Sequence, residues 1–371
     1  MSIKRILHVV TTMDYGGVET LIMSIYRGID RSKIQFDFLC HNSIDNKYTN
    51  EILNMGGRMF MIPGPKHIGI LKYEKKLYDF FLNHSEYQIV HVHLNQRNGE
   101  ILKVAKKAGV PIRISHCHVA NPNQSIAMKL YYKYFSYVNR KVLTHAFACS
   151  DKAGDWLYGK KIKYRIISNA ISVENFCFNL NERKYIRDKY NIEKTEFLLG
   201  HVGRFDNAKN HDFILRVFDD ISKKNSNKFK LMLIGTGYNE EEIKNQAKRL
   251  KLFSKIIFVG ESNNLGKYYS AMDLFLFPSI YEGFGIVAVE AQCSGLMVLA
   301  SNTVPNEVKI TENVKFMSLA DPIDNWSKYI CEYVNIYDPS NREKYYNIVK
   351  ESNYNINRLA LELQNFYLKV I

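Results

Sequence analysis

What the 371-residue chain lacks narrows its identity first. No apolar run approaches the roughly 18 residues that a membrane-spanning helix requires. Lys4-Arg5 is followed only by Ile6-Leu7-His8-Val9-Val10, too short an apolar stretch for a secretory leader. The six cysteines (Cys40, Cys117, Cys149, Cys177, Cys293, Cys331) are scattered without a Cys-x-x-Cys pair. That argues against a disulfide framework or a cysteine zinc site and predicts a reduced, cytoplasmic chain. Short-period repeats and low-complexity tracts are missing too. No Asp-x-Asp occurs, so the usual carboxylate pair that holds a metal on a diphosphate has no counterpart. Acidic residues are in deficit, 37 against 51 basic ones, which leaves a net charge of +14. Such a balance predicts an anionic partner: nucleic acid, a phosphorylated substrate or an anionic membrane surface.

What is present reads as an ordinary globular chain, 46% apolar and 24% charged, with a length that predicts about two domains. Short apolar runs alternate with helical patterns from Arg5–Val10 through Arg165–Ser168, which predicts a parallel α/β sheet over residues 1–172. Residues 173–195 are polar, helix-prone and free of a buried strand, so they read as a connection. A second alternation runs through Phe197–Val202, Lys230–Ile234, Ile256–Val259, Leu274–Phe277 and Met297–Ala300, which predicts a second α/β domain over 196–354. The tail, 355–371, predicts a helix with Leu359, Leu363, Phe366 and Val370 on one stripe.

Chemistry-bearing residues gather at the ends of predicted strands, where open α/β sheets bind ligands. After Leu274–Phe277 comes Tyr281-Glu282-Gly283-Phe284-Gly285-Ile286, with Glu290 one turn into the following helix. Glycines let a ligand approach the backbone, and the free N–H groups of a helix start attract phosphate oxygens. Glu290 is placed to accept hydrogen bonds from two ribose hydroxyls, and Glu282 faces whatever lies beyond the phosphates. After Phe197–Val202 comes Gly203-Arg204, followed by Lys209-Asn210; Arg204 and Lys209 suit a diphosphate, one as a planar fork and one as a point charge. Gly235-Thr-Gly237 lacks the third glycine of a dinucleotide fingerprint and reads as a tight turn. In the first half, Gly16-Gly17-x-Glu19 opens a helix after the first strand. Ile112–Ser115 runs into His116-Cys117-His118; two histidines two apart suggest a metal site, but no third ligand is apparent nearby, and a strand end facing a crevice is the better account. His91 and His93 end the preceding strand and read as structural or as lining the same crevice.

These residues together resemble the family 4 retaining glycosyltransferases. The run from Phe277-Pro278-Ser279 through Glu282-Gly283-Phe284-Gly285 to Glu290-Ala291-Gln292 carries the resemblance. Gly203-Arg204, Lys209-Asn210, Gly16-Gly17-x-Glu19 and Asn169 fall in the same order as in that family. Arg113 to His118 is similar to the corresponding stretch of bacterial capsular and exopolysaccharide transferases. The resemblance implies a GT-B fold: two facing Rossmann-like domains, a cleft between them and a C-terminal helix that crosses back. It also implies retaining transfer of a sugar from a nucleotide-sugar donor, a UDP-sugar, to a glycan or lipid-linked acceptor. Arg204 and Lys209, with the amides at Phe284, Gly285 and Ile286, would bind the diphosphate, and Glu290 the ribose. Glu282 would hold the sugar, with His118 or His116 contacting it, and Gly16, Gly17, Asn169 and Gly283 would line the site. No metal and no further cofactor are expected. Two departures stand out: Ala170 replaces the commoner glycine after Asn169, and Ser172 stands where an aspartate is common.

Three other readings compete. One is a sugar-nucleotide epimerase of the same architecture; another is an inactive relative that binds donor without turnover. A nucleic-acid binder would explain the charge, but no recognised module or aromatic-basic motif accompanies it. The basic charge has a second candidate outlet. Read as a helix, Ser125–Val142 brings Lys129, Lys133 and Arg140 within about 40° of one another. Ala127, Tyr131, Tyr134, Phe135, Val138 and Val142 then lie opposite. That stripe fits either a docked helix with a solvated face or contact with anionic lipid or a lipid-diphosphate acceptor at the inner face of the plasma membrane.

Overall fold

The computed structural model describes residues 3–14, 16–118, 126–224 and 228–370, with the side chains of 126–129 left out. The chain divides into two compact units, Met1–Ala170 with Ile356–Ile371, and Ile171–Asn355. Each is built on one parallel sheet with helices on both faces.

In the first unit, β1 (Lys4–Val10), β2 (Ile34–Cys40), β3 (Met59–Met61), β4 (Ile89–Val92), β5 (Ile112–Cys117), β6 (His145–Ala148) and β7 (Arg165–Ile166) pair in the order β3-β2-β1-β4-β5-β6-β7. The order reverses between β1 and β4, so the loops after these strands diverge and leave a crevice at their carboxyl ends. Strand alternation assigns the faces. Leu7, Val9, Val90 and Val92 pack with Tyr73, Leu77 and Leu102 on one side. Ile6, Ile89 and Ile114 pack on the other with the helices Gly17–Gly28 and Ile356–Val370. The tail helix is fastened by polar contacts as well: Gln364 Oε1 accepts the Asp30 N–H at 2.6 Å, and the Tyr367 hydroxyl meets His91 Nδ1 at 2.7 Å.

The second unit carries β8 (Phe197–Val202), β9 (Phe229–Ile234), β10 (Ile256–Gly260), β11 (Leu274–Phe277), β12 (Met297–Ser301) and β13 (Val314–Met317), in the order β10-β9-β8-β11-β12-β13. Its reversal falls between β8 and β11. Leu199, Leu231, Leu276 and Leu299 face the helices that hold Phe213 and Trp326, while Leu198, Met232, Phe275 and Val298 face those that hold Tyr269 and Ala288.

Two expectations need correction. Residues 173–195 are no loose connection but part of the second unit. Asp273, buried just before β11, accepts Arg183 at 2.6 Å, Arg187 at 3.1 Å and the Leu198 N–H at 2.7 Å. Arg187 also donates to the carbonyls of Ala271, Glu193 and Glu196. A carboxylate satisfied by two guanidinium groups and an amide fastens the polar helix Leu180–Lys189, beside the buried Ile186 and Ile192.

The second correction concerns the helix Ile126–Val142. Ser125, and the side chains of Ala127 and Lys129, lie outside the described residues. Lys133 is exposed as expected, but Arg140 is docked, donating to the Leu157 carbonyl at 3.3 Å. Tyr134, expected inward, is 56% exposed, together with Leu130 at 65% and Tyr137 at 55%. Phe135 and Val142 are buried as expected, and Asn139 joins them in the buried positions. Asn139 Nδ2 donates to the buried Ser115 Oγ at 3.0 Å, and that bond turns the helix about its axis.

Candidate active site

The crevice of the second unit is formed by two loops tied together. After β8, residues 203–210 carry Arg204 and Lys209; after β11, residues 278–285 carry Glu282 and the glycines. The Ala208 carbonyl accepts the Ile280 N–H at 2.8 Å, and Asn210 Nδ2 donates to the Pro278 carbonyl at 3.0 Å. Asn210 reaches this position in the left-handed region, at φ 59°. From the other side, the turn read as plain proves to be a brace. A Cβ on Gly235 would lie 2.2 Å from the Gly203 carbonyl oxygen, and one on Gly237 2.4 Å from that of Phe205. Only glycine permits this approach, through which Phe205 N–H reaches the Thr236 carbonyl at 2.9 Å.

Lys209 and Glu282, read separately from the sequence, are brought together. Lys209 Nζ donates to Glu282 Oε1 at 2.5 Å, and Ser279 Oγ donates to the same oxygen at 2.7 Å. The side chains are only 18% and 8% exposed, so this pair is fixed in a partly dry setting. Arg204 differs: its side chain is 83% exposed and leans on Asp206 Oδ2 at 3.0 Å. An exposed pair of this kind contributes little to stability and leaves the guanidinium able to turn to a ligand.

The helix Ile286–Cys293 starts at Gly285, whose φ of 95° is left-handed; a Cβ there would meet the Phe277 ring at 2.9 Å. Gly283 is different. A Cβ on it would meet nothing within 4 Å, so neither packing nor a positive φ demands glycine there. Phe284 stacks on Tyr354 with ring centroids 5.4 Å apart and holds the loop between the two glycines. Glu290 receives the Tyr269 hydroxyl at 2.8 Å on Oε2. Burial pushes its carboxyl up to about 7, with the Tyr269 bond opposing.

In the first unit the expected histidines are part of a layer of five. On the face that carries Ile6, Ile89 and Ile114, the next inward positions are His8, His91 and His116, followed by His93 and His118. β1 and β4 pair His8 with His91. His8 Nδ1 meets His93 Nε2 at 3.0 Å, and His93 Nδ1 meets His118 Nε2 at 2.8 Å. His116 is 2% exposed, whereas His118 is half-buried, with its backbone N–H donating to Asn95 Oδ1 at 2.8 Å. Of the two, His118 is therefore the one with a face toward solvent. Burial holds these imidazoles neutral, His8 and His118 down to about 3. Gly17, at the start of the helix after β1, has open space where a Cβ would stand, and Gly16 precedes it as the cap. Asn169 lies in the chain just after β7, half-buried.

Residues that the sequence reading missed are mostly supports. Ser279 and Tyr269 orient the two glutamates, and His93 orients His118. Ser279 was visible as a hydroxyl at a strand end; nothing in the sequence placed Tyr269 beside Glu290.

Two parallel sheets of seven and six strands, with charged and glycine-rich loops at the carboxyl ends of the second, constitute the GT-B type of α/β architecture. A solved structure of HepE from Anabaena, in complex with UDP, matches over the full length of both chains with a TM-score of 0.77 and 15% identity. The family model "Glycosyl transferases group 1" matches residues 182–350. EpsF of Bacillus subtilis, named as a glycosyltransferase, is 32% identical over 336 residues, spanning 88% of this chain and 87% of EpsF. The chain belongs to the group 1 glycosyltransferases. It is also 23% identical to an Escherichia coli UDP-Gal:α-D-GlcNAc-diphosphoundecaprenol α-1,3-galactosyltransferase, over 80% of this chain and 79% of that one.

Proposed function

We propose that this glycosyltransferase moves a sugar from a UDP-sugar to a glycan or lipid-linked acceptor in bacterial surface polysaccharide synthesis, with retention of configuration. The observation that carries the reading is the partly buried Lys209–Glu282 pair beside the uncapped start of the Ile286–Cys293 helix. A diphosphate accepted there would meet Arg204, Lys209 and the amides of Phe284, Gly285 and Ile286, which supply positive charge without a divalent ion. Glu290 would take the ribose hydroxyls. Glu282, with Oε1 engaged by Lys209 and Ser279, would turn its other oxygen to the sugar. His118 would present its exposed edge to the sugar. The UDP bound by the HepE structure and the diphosphoundecaprenol-linked acceptor of the E. coli relative support the choice of substrates.

As charge grows on the departing diphosphate, Arg204 and Lys209 stabilise it more than they stabilise the bound donor. Departure and attack then take place on one face of the sugar. Transfer from an α-linked UDP-sugar should give an α-linked product by NMR, and turnover should neither require nor gain from added magnesium or manganese. An inverted product, or turnover wholly dependent on manganese, contradicts the reading. Conversion of the donor to its epimer with no acceptor present would favour the epimerase.

No helix among the described residues is long and apolar enough to cross a membrane. We propose a cytoplasmic enzyme that meets the membrane peripherally, through Lys133 and Lys141 beside the exposed Leu130, Tyr134 and Tyr137. Each basic residue near an anionic surface contributes about 1 kcal/mol. Replacing both lysines by glutamate should release the protein from phosphatidylglycerol vesicles while turnover on a soluble acceptor persists; unchanged sedimentation would return the helix to ordinary surface.

A further inference from the structure

We propose that His93, His116 and His118 form a binding site for one divalent transition-metal ion of the zinc type, held in the first unit apart from the donor diphosphate. Sheet order assembles the three: β4 and β5 are neighbours, His93 follows the first, His116 is the last residue but one of the second, and His118 follows it. One nitrogen from each lies within 4.8 Å of the others, and His93 Nδ1 stands 2.8 Å from His118 Nε2. Tetrahedral zinc with imidazole bonds of 2.0–2.1 Å sets ligand nitrogens about 3.3 Å apart, within reach of small side-chain rotations.

Two observations support a bound ion here. His116, 2% exposed, has no hydrogen-bond partner at Nδ1 or Nε2 among the described residues. A buried polar group left unpaired costs free energy that a bound ion would recover. His93, in turn, carries the orienting contact that metal-bound histidines use, with its second nitrogen 3.0 Å from His8 Nδ1. An all-imidazole donor set favours zinc, cobalt, nickel or copper over magnesium or calcium, which require oxygen ligands. His8, His91 and His93 form a second cluster, but it is fully buried and His91 Nδ1 is committed to Tyr367. The half-buried His118 gives the outer trio an entry path, and its fourth position is left to water.

The test uses the untagged full chain, stripped by chelation and titrated with Co2+. The expected result is one equivalent bound, with the intense visible absorption of tetrahedral cobalt, displaced by Zn2+. His116→Phe and His118→Asn should each weaken binding at least about 100-fold, with folding checked by circular dichroism, while His91→Phe retains it. His118 sits at the half-buried rim, so its variant serves if His116→Phe fails to fold. Absence of stoichiometric binding to the unmodified chain overturns the proposal. So does full binding in a folded His118→Asn or His116→Phe variant, or loss confined to His91→Phe.

Discussion

The two crevices occupy the same place in their sheets, yet they are furnished in opposite ways. At the reversal between β8 and β11 the loops hold fixed charge: Lys209 paired with Glu282, Arg204 at the rim, and a helix start without a side-chain cap. At the reversal between β1 and β4 the lining is a layer of neutral imidazoles with half-buried His118 at its edge. A charged lining is suited to a diphosphate; a neutral one, rich in donors and acceptors, is suited to hydroxyls or to a metal ion. One architecture therefore carries two different linings according to which residues end the strands.

The strongest way to break this division is to neutralise Glu282. Glu282→Gln should lower kcat by about 100- to 1000-fold while leaving UDP affinity within about threefold, if Glu282 acts at the sugar as proposed. Equal losses in both would place Glu282 in nucleotide binding instead. Arg204→Ala comes next. One charge-assisted contact is worth about 1.5–3 kcal/mol, so kcat/KM should fall by roughly 10- to 150-fold, with melting temperature unchanged because the side chain is exposed.

Glu290 gives a pH test with a definite sign. Its carboxyl titrates near 7 in the folded chain, against an ordinary value of 4.5. Folding thus favours the protonated form, and the stability this carries is present below about 4.5 and lost as pH rises through 7. The unliganded Glu290→Gln protein should melt about 2–4 °C higher than the parent at pH 8. The parent's UDP affinity should fall as pH drops below 7, because a ribose diol needs the carboxylate as acceptor, and the variant's should stay flat. An identical pH profile in both proteins would remove Glu290 from the ribose.

The two glycines of the same loop sharpen the picture at the smallest scale. Gly285→Ala should destabilise by about 1–2 kcal/mol, since it forces a side chain into the left-handed region against Phe277. Gly283→Ala, with open space around it, should leave the melting temperature in place and weaken UDP binding about 3- to 10-fold. Destabilisation by Gly283→Ala with nucleotide binding intact would make that glycine structural.

These contrasts also mark what the sequence made legible. The block from Phe277 to Glu290 could be read because its signals are local: a strand end, glycines, charges and a helix start within fourteen residues of chain. The histidine layer could be read only in part. His91 and His93 read as structural or as lining the crevice of His116 and His118, but their contacts and His8 depend on β1, β4 and β5 being neighbours, and strand order is not written in strand composition. His116 and His118 lacked a third partner on paper because His93 lies 23 residues upstream of His116. The outward face of the Ile126–Val142 helix was misjudged for a related reason. Hydrophobicity alone placed Tyr134 inward, whereas a buried bond from Asn139 to Ser115 sets the rotation. Segment 173–195 read as a connection because few apolar residues, Ile186 and Ile192 among them, anchor it, and a cluster of two arginines and Asp273 does the rest.

Calorimetric titration of UDP into the full chain and into Lys209→Ala and His118→Asn tests the central claim most directly. The division of labour predicts one site, at least about tenfold weaker in Lys209→Ala and unchanged in His118→Asn. Undiminished binding in Lys209→Ala, or a loss produced by His118→Asn alone, would contradict it.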